Sequence, residues 1–321
     1  MKDYILRKIK SKRGKKYTHE YTDKRGNSLS KQEYEPLLKN LYIAPAYENV
    51  KINKHKKDKV LAIGTDDRGR KQYTYNPDHI QTATDNKYKS LIEFGNNYKC
   101  IMNRINKDMS TFEDSKKKQV AMILKVIDEC NFRVGNEKYA KENNSFGVCT
   151  LENKHIKVGS SGVTIDFIGK EGVRNTCRVK NKRLSKNLRT KKKILNKKDR
   201  IFTYRSNHTY YNVSAPDVNR YLKQFGNFTA KNFRTWTANI DLIKELKKRP
   251  STNVKKSLTE CVKKIAQQMH HTPSICKKNY INKELLDLYV DSNDKFRYYF
   301  RSTDKEGISE EFIHFLKDVY K

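Results

Sequence analysis

Arg133, Lys170, Arg234, His271 and Tyr280, in that chain order, contain the parts needed for one reaction. The reaction is transesterification at a phosphodiester. It needs a nucleophile, groups that stabilise charge on the phosphate, and an acid for the leaving oxygen. Tyr280 offers a phenol oxygen that can attack phosphorus and form a phosphotyrosyl bond. A tyrosine side chain has a reference pKa of ~10 and needs help to lose its proton near neutral pH. Arg133 and Arg234 offer planar guanidiniums that match non-bridging phosphate oxygens. His271 adds a third donor, and prepositioned donors of this kind commonly contribute ~2.7–4 kcal/mol each. Lys170 offers a proton to the departing oxygen, because an ammonium beside two guanidiniums is destabilised. The bond energy stays in the protein–phosphate link, so the scheme calls for neither ATP nor a metal. Each residue also has an ordinary reading by itself. Arg133 would pair with Glu137, Lys170 would be a turn lysine, Arg234 a stacked structural arginine, and His271 a helix C-cap; Tyr280 is one of 20 tyrosines.

The elements that must position these residues follow from local patterns. In residues 115–134, Val120, Ile123, Leu124 and Ile127 recur on one helical face, with Gly135 as the stop and Asn136 as the next cap. Arg133 then falls on the rim of a helix. Residues 147–180 change to short β-type runs, which predicts a small antiparallel sheet with Lys170 at a hairpin tip. Ser214-x-x-Asp217 has capping-box spacing ahead of Val218, Tyr221, Leu222 and Phe225. Ser257-x-x-Glu260 reads as a second box, before an apolar stripe from Leu258 to Met269. That helix is expected to stop at His271, because Thr272 precedes Pro273 and Thr272-Pro273 suits a new cap and first position. Tyr280 lies in the fresh segment. Upstream, residues 58–76 read as a hairpin turning at Asp66-Asp67-Arg68-Gly69, and the polar stretch from Pro77 to Lys87 reads as a boundary. The expected class is α+β. A small β-rich N-terminal domain, residues 1–80, precedes a mainly helical domain, residues 84–321, that carries a small antiparallel sheet.

Charge narrows the partner. With 70 Lys+Arg against 36 Asp+Glu, the 321-residue chain carries +34, whereas a small soluble domain usually carries ~2–8. Such an excess repels itself unless a polyanion neutralises it, with nucleic acid the first candidate and an anionic membrane surface the second. Two runs concentrate it. Residues 7–16 hold seven Lys/Arg and read as a solvated arm or a backbone-contact strip; residues 180–200 hold eleven and read as a DNA-contact surface or a solvated face. No run of 18 apolar residues suggests a membrane span, and the N-terminus lacks a secretory apolar stretch. The cysteines, Cys100, Cys130, Cys149, Cys177, Cys261 and Cys276, form no C-x-x-C and no zinc set with a His pair. They are expected as reduced intracellular thiols in a metal-free protein.

Taken with their neighbours, the five residues resemble the type IB DNA topoisomerases. Within these the small poxvirus-type branch is closer, and a giant-virus, mimivirus-like member fits best. The resemblance rests on Gly64, Gly69-Arg70-Lys71-Gln72-Tyr73-x-Tyr75, Phe132-Arg133-x-Gly135 with Lys138-Tyr139, Leu151-x-Asn153-Lys154-His155-Ile156, Phe167-x-Gly169-Lys170, Lys223-Gln224-Phe225-Gly226, Arg234-Thr235 and His271-Thr272-Pro273-Ser274-Ile275. The chain departs from the poxvirus pattern at Asn136 (usually Lys), at Glu171 (usually Asp) and in its longer basic start. The resemblance implies the tyrosine recombinase/topoisomerase IB catalytic fold. It implies an enzyme that nicks one strand of duplex DNA through a 3′-phosphotyrosyl bond, lets supercoils of either sign relax by swivelling, and religates by attack of the 5′-hydroxyl. Double-stranded DNA is the implied partner, with no membrane, no metal and no nucleotide cofactor; the implied state is a monomer. Arg70, Lys71, Gln72, Tyr73 and Tyr75 would contact the major groove and phosphates from an N-terminal clamp domain. Asn136 and Tyr139 are further contact candidates. The implied location is intracellular, for a virus the host cytoplasm (viral factory) and the virion. Two rivals remain. A tyrosine site-specific recombinase uses a similar set, but usually has a His three residues before the second Arg, where Lys231 stands here. A non-enzymatic basic DNA-packaging protein would match the charge and leave the ordered set unexplained.

Overall fold

A computed structural model describes residues 1–14 and 16–320; Lys15 of the basic N-terminal run and Lys321, the last residue of the expected second domain, lie outside the described residues. The chain divides into two compact units, Met1–Lys87 and Tyr88–Lys321.

Alternating apolar and polar residues build the first unit. Strands β1 (Tyr4–Arg13), β2 (Lys16–Thr22), β3 (Glu48–Asn53), β4 (Val60–Thr65) and β5 (Lys71–Tyr75) form one antiparallel sheet in the order β2-β1-β3-β4-β5. Helix α1 (Lys31–Leu38) lays Tyr34, Leu37 and Leu38 over a small core of Ile5, Val50, Ile52 and Ala62. Residues 7–13 of the basic run are therefore not a solvated arm. They lie in β1, where Ile5 and Arg7 share the inward face. Arg7 is buried and donates to the carbonyls of Ala44 (2.8 Å) and Tyr47 (3.1 Å), fastening that loop to the sheet. The β4–β5 hairpin has the expected turn. Asp66 Oδ1 accepts from the backbone N–H of Arg70 at 2.9 Å, and Gly69 takes φ +72°.

The second unit is mainly helical. The polar stretch from Pro77 to Lys87 is itself helical and opens α2 (Pro77–Met109), which runs on into this unit. Next come α3 (Lys116–Cys130) and α4 (Glu137–Asn143). Strands β6 (Ile156–Gly159), β7 (Gly162–Ile168) and β8 (Arg174–Val179) form a three-stranded antiparallel sheet. Helix α5 (Lys182–Ile194) and a two-stranded ribbon, β9 (Thr203–Ser206) and β10 (Thr209–Asn212), follow. The rest is helical: α6 (Ala215–Leu222), α7 (Ala230–Lys247), α8 (Val254–Gln268), α9 (Pro273–Asn279), α10 (Lys283–Asp291), α11 (Asn293–Tyr299) and α12 (Lys305–Val319). The architecture is mixed α+β. Helices α3 and α7 form the centre of the core. Trp236 of α7 packs among Phe94, Tyr98 and Phe312, and α2 approaches so closely that a Cβ on Gly95 would lie 2.5 Å from the Trp236 ring. Among the described residues no helix is long and apolar enough to cross a membrane.

Several local expectations are corrected. Helix α3 ends at Cys130 because Asn131 takes a left-handed C-cap (φ 55°), so Arg133 lies beyond the helix in an extended segment. Gly135 is not the stop. It packs backbone to backbone with Gly147, where an added Cβ would lie 2.4 Å from Gly135 Cα. Helix α8 starts at Val254 behind Asn253, so Ser257 is buried within it rather than capping it; the helix ends at Gln268, short of His271. The Ser214–Asp217 box does form, with Ser214 N–H donating to Asp217 Oδ2 at 3.0 Å. The six cysteines are not all reduced. Cys130 and Cys177, 47 residues apart in sequence, form a disulfide, leaving Cys100, Cys149, Cys261 and Cys276 free. No local spacing marks that pair, because the packing of β8 beside α3 brings it together.

Candidate active site

Three helices and one extended segment meet around Tyr280. The left-handed cap at Asn131 releases the chain toward Arg133. Helix α7 carries Arg234 in its second turn. After α8 the chain turns through Met269 and His270, the latter with φ +56°, and delivers His271. Thr272 then caps α9, its Oγ1 accepting from Ile275 N–H at 3.4 Å, and Tyr280 stands at the C-cap of α9.

Arg234 organises the cluster. It is 4% exposed. Its Nε donates to the Asn131 carbonyl (2.8 Å), its Nη2 to the Met269 carbonyl (3.0 Å) and to His271 Nε2 (3.1 Å), and its Nη1 to Tyr280 Oη (2.6 Å). Four of the five N–H donors of a guanidinium are thus directed within the protein. The guanidinium carbon lies 4.7 Å from the Tyr280 ring centre. Burial brings the Arg234 pKa down to about 10, so the cation persists at neutral pH. A guanidinium this close stabilises negative charge as it develops on the phenol oxygen.

His271 sits between the two arginines. Arg133 Nη2 lies 3.1 Å from its Nε2 and 3.2 Å from its Nδ1, and Tyr280 Oη lies 3.2 Å from Nε2. Burial, then Arg133 and Arg234, push the His271 pKa down to about 3, with smaller contributions from His270 and Lys170. The ring is therefore neutral and accepts guanidinium N–H groups. A neutral imidazole keeps one ring N–H, which can donate to an anion.

The structure brings four of the five sequence-selected residues into direct contact. The fifth, Lys170, is exposed at the β7–β8 turn, where Glu171 (φ 62°) and Gly172 (φ 72°) are left-handed. Among the described residues no hydrogen bond joins Lys170 to the other four, although its charge reaches His271. The ordinary pairing of Arg133 with Glu137 is not formed; Glu137 pairs with Arg200 at 2.9 Å.

Other residues hold the cluster and were not singled out from sequence. Asn239 of α7, fully buried, donates to the Tyr280 carbonyl (2.8 Å), and its Oδ1 accepts from Asn282 N–H (2.8 Å). It fastens the backbone on either side of Ile281, directly after the tyrosine, to the helix that carries Arg234. Tyr88 Oη donates to the Ile281 carbonyl at 3.0 Å. The available signal was an Asn among Ala238, Ile240, Leu242 and Ile243, since a polar residue at a core position demands partners.

The DNA-contact candidates divide by position. On β5, Lys71, Tyr73 and Tyr75 share the exposed face, with the two tyrosine rings stacked 6.1 Å apart. Gln72 points to the other face. Its Nε2 and Arg70 Nε both donate to Asp66 Oδ2, at 2.8 and 2.9 Å, so one carboxylate orients both side chains. Against burial, which raises it, the backbone N–H of Arg70 and then these two side chains hold the Asp66 pKa at about 2. Asn136 Oδ1 caps α4 by accepting from Lys138 N–H at 2.8 Å, and Tyr139 is exposed on that helix. The basic segment 180–200 is partly structural. Lys191 is buried against Asp114 (2.7 Å), Lys192 donates to the Asn153 carbonyl (2.8 Å), and Arg200 pairs with Glu137 and Glu152. Lys182, Arg183, Lys186, Lys193, Lys197 and Lys198 are exposed. No group of three or more His, Cys, Asp or Glu among the described residues is placed to hold a metal ion.

The chain is similar to known proteins over most of its length. A family model described as eukaryotic DNA topoisomerase I, catalytic core, matches residues 76–306. The DNA topoisomerase 1B of Acanthamoeba polyphaga mimivirus is 32% identical over 301 residues, covering 89% of this chain and 88% of that protein. The DNA topoisomerase 1B of Vaccinia virus (strain Copenhagen) is 29% identical over 273 residues, covering 78% and 83%. The DNA topoisomerase 1 of Schizosaccharomyces pombe is 29% identical over 213 residues, covering 65% of this chain and 23% of that protein.

Proposed function

Since the chain belongs to the type IB DNA topoisomerases, we propose that Tyr280 is the nucleophile with which it opens one strand of its DNA substrate. The observation that carries this reading is the environment of one oxygen: Tyr280 Oη has the Arg234 guanidinium at 2.6 Å and His271 Nε2 at 3.2 Å. Arg133 and Arg234 grip the non-bridging oxygens of the scissile phosphate, and His271 donates a third hydrogen bond once the arginines turn to the anion. The phenol oxygen attacks phosphorus, a 3′-phosphotyrosyl bond forms, and the 5′ oxygen leaves with a proton from Lys170. DNA laid over the β7–β8 turn would cover that ammonium, which solvent now reaches. Swivelling of the cut strand relaxes supercoils of either sign, and the 5′-hydroxyl reverses the attack.

The first unit serves as the clamp domain in this reading. Arg70 and Gln72, oriented by Asp66, read base edges, while Lys71, Tyr73 and Tyr75 meet the backbone. Tyr139 and Asn136 contribute from the second unit. The enzyme works as a monomer without a nucleotide cofactor or metal, inside the infected cell. The test is relaxation of negatively and positively supercoiled plasmid in EDTA without ATP, with mapping of the covalent adduct. Relaxation and an adduct on Tyr280 are expected, and Tyr280→Phe should bind duplex yet form no adduct. An adduct persisting in that variant after detergent, or strand exchange between two sites, would overturn the reading.

A further inference from the structure

The segment Cys130–Arg133 is a junction to which most of the site is attached. The Cys130 carbonyl accepts from His270 Nε2 at 3.2 Å, and the Asn131 carbonyl accepts from Arg234 Nε at 2.8 Å. The Phe132 ring meets Phe167 of β7 edge-on at 4.9 Å and the His270 ring at 5.0 Å. The remaining attachment is covalent: the disulfide joins Cys130 to Cys177 on β8, with Cα atoms 5.7 Å apart. Lys170 lies on the turn just before that strand.

Strand β8 needs such an attachment. Among the described residues it is an edge strand, paired with β7 alone. From Lys170 to Arg174 the chain is exposed. At the far end of the strand, the backbone N–H groups of Lys180 and Asn181 donate to the Glu129 carboxylate. An edge strand held at one end frays from the other. The disulfide ties β8 to α3 between the turn and the Glu129 anchor. Among the described residues no hydrogen bond joins Lys170 to the other four, so the position of this hairpin decides where its ammonium stands.

We propose that the Cys130–Cys177 disulfide is a positioning cross-link of the active site, and that its reduction frees the Lys170 hairpin and slows departure of the 5′ oxygen. The proposal rests on the reading of Lys170 as the proton donor. The chemistry is thiol–disulfide exchange with a small-molecule thiol. A reductant thiolate attacks the Cys177 sulfur, which is half-buried, whereas Cys130 is buried. The S–S bond breaks and Cys130 leaves as a thiolate that takes up a proton. A second thiol of the reductant resolves the mixed disulfide and releases Cys177. The protein gains two electrons and two protons, and the reductant becomes a disulfide. A small-molecule disulfide runs the same exchange in reverse.

The experiment compares the full chain after oxidised glutathione with the same protein after dithiothreitol. The thiol state is read by alkylation and mass: four labelled cysteines when oxidised, all six when reduced. Single-turnover cleavage is measured on an ordinary duplex and on one with a 5′-bridging sulfur, a leaving group that needs no acid. Reduction is expected to slow the ordinary duplex by about 10- to 100-fold. That is part of the ~10²–10⁴ a general acid contributes, since a 1 Å misplacement can cost ~10²-fold. The sulfur duplex should be cleaved at the same rate in both states. Cys177→Ser should behave as the reduced protein and lose the redox response. The proposal is overturned if all six thiols remain alkylatable after oxidation, if both states cleave the ordinary duplex equally, or if both substrates slow alike. Failure of the parent reading looks different: Lys170→Ala in the oxidised protein would not be rescued by the sulfur duplex.

Discussion

Replacing Arg234 by lysine tests the centre of the site while keeping formal charge. The native guanidinium serves four acceptors: the carbonyls of Asn131 and Met269, His271 Nε2 and Tyr280 Oη. They are served from three different nitrogens of a rigid fork. An ammonium is a single point with three N–H groups and cannot span them. At least one carbonyl is left unpaired in a site that is 4% exposed in the native protein, at ~1–3 kcal/mol. For a protein of this size each kcal/mol lowers Tm by ~2–4 °C. Loss of a prepositioned donor to the phosphate removes a further ~2.7–4 kcal/mol from the transition state, or ~10²–10³ in rate. Burial already brings Arg234 to about 10 from 12.5. The same burial pushes an ammonium below its ordinary ~10.4. Arg234→Lys should therefore lose charge and rate further as pH rises through a range in which the native arginine stays protonated. Single-turnover cleavage of a short duplex at several pH values, with duplex affinity and Tm measured alongside, gives all three readouts. Affinity should change little. If Arg234→Lys cleaves within ten-fold of the native enzyme with unchanged Tm, the donors are not used as described.

Two further outcomes are expected. Lys170→Ala should cleave an ordinary duplex ~10²–10⁴ more slowly and regain native rate with a 5′-bridging sulfur; equal loss on both substrates would remove its proton-donor role. Acid should destabilise the fold above the carboxylate range. Burial first, then neighbouring charges, hold His155 at about 4 and His271 at about 3, below the ~6.5 of an unfolded chain. The unfolded state therefore binds more protons as pH falls below about 6.5, so the stability held above that pH is lost toward the folded values, by up to ~1.4 kcal/mol per pH unit for one histidine. Asp66 and Asp217, held at about 2, act below this window. Tm measured from pH 8 to 4.5 should fall, and His155→Gln should flatten the curve. An identical slope in that variant would contradict the assignment of His155.

Much of the local architecture was legible because it depends on short-range periodicity. The apolar spacing of α3, the β4–β5 hairpin and the caps at Asn136, Ser214 and Thr272 all follow from side chains a few residues apart. The failures share a cause. Asn131 and Ser257 are both competent in more than one capping role, and contacts distant in sequence chose among them. The Asn131 carbonyl is drawn to Arg234, and Ser257 is buried within α8. The strand character of residues 7–13 was hidden by their charge, because Arg7 faces inward to loop carbonyls that no local pattern announces.

The amino-acid sequence by itself determined which side chains are available for chemistry and their order, and through the matching motifs it identified the family. It determined the alternation in β5 that separates Lys71, Tyr73 and Tyr75 from Gln72. Tertiary structure alone decided what those groups are chemically. The neutrality of His271 follows from burial beside two guanidiniums, the strength of Arg234 as a donor from its four directed hydrogen bonds, and the register of Tyr280 from Asn239. It also decided that Cys130 and Cys177 pair. Sequence patterns encode neighbours at helical and strand spacing. Desolvation, charge proximity and covalent pairing depend on distances set by packing between segments that lie tens of residues apart.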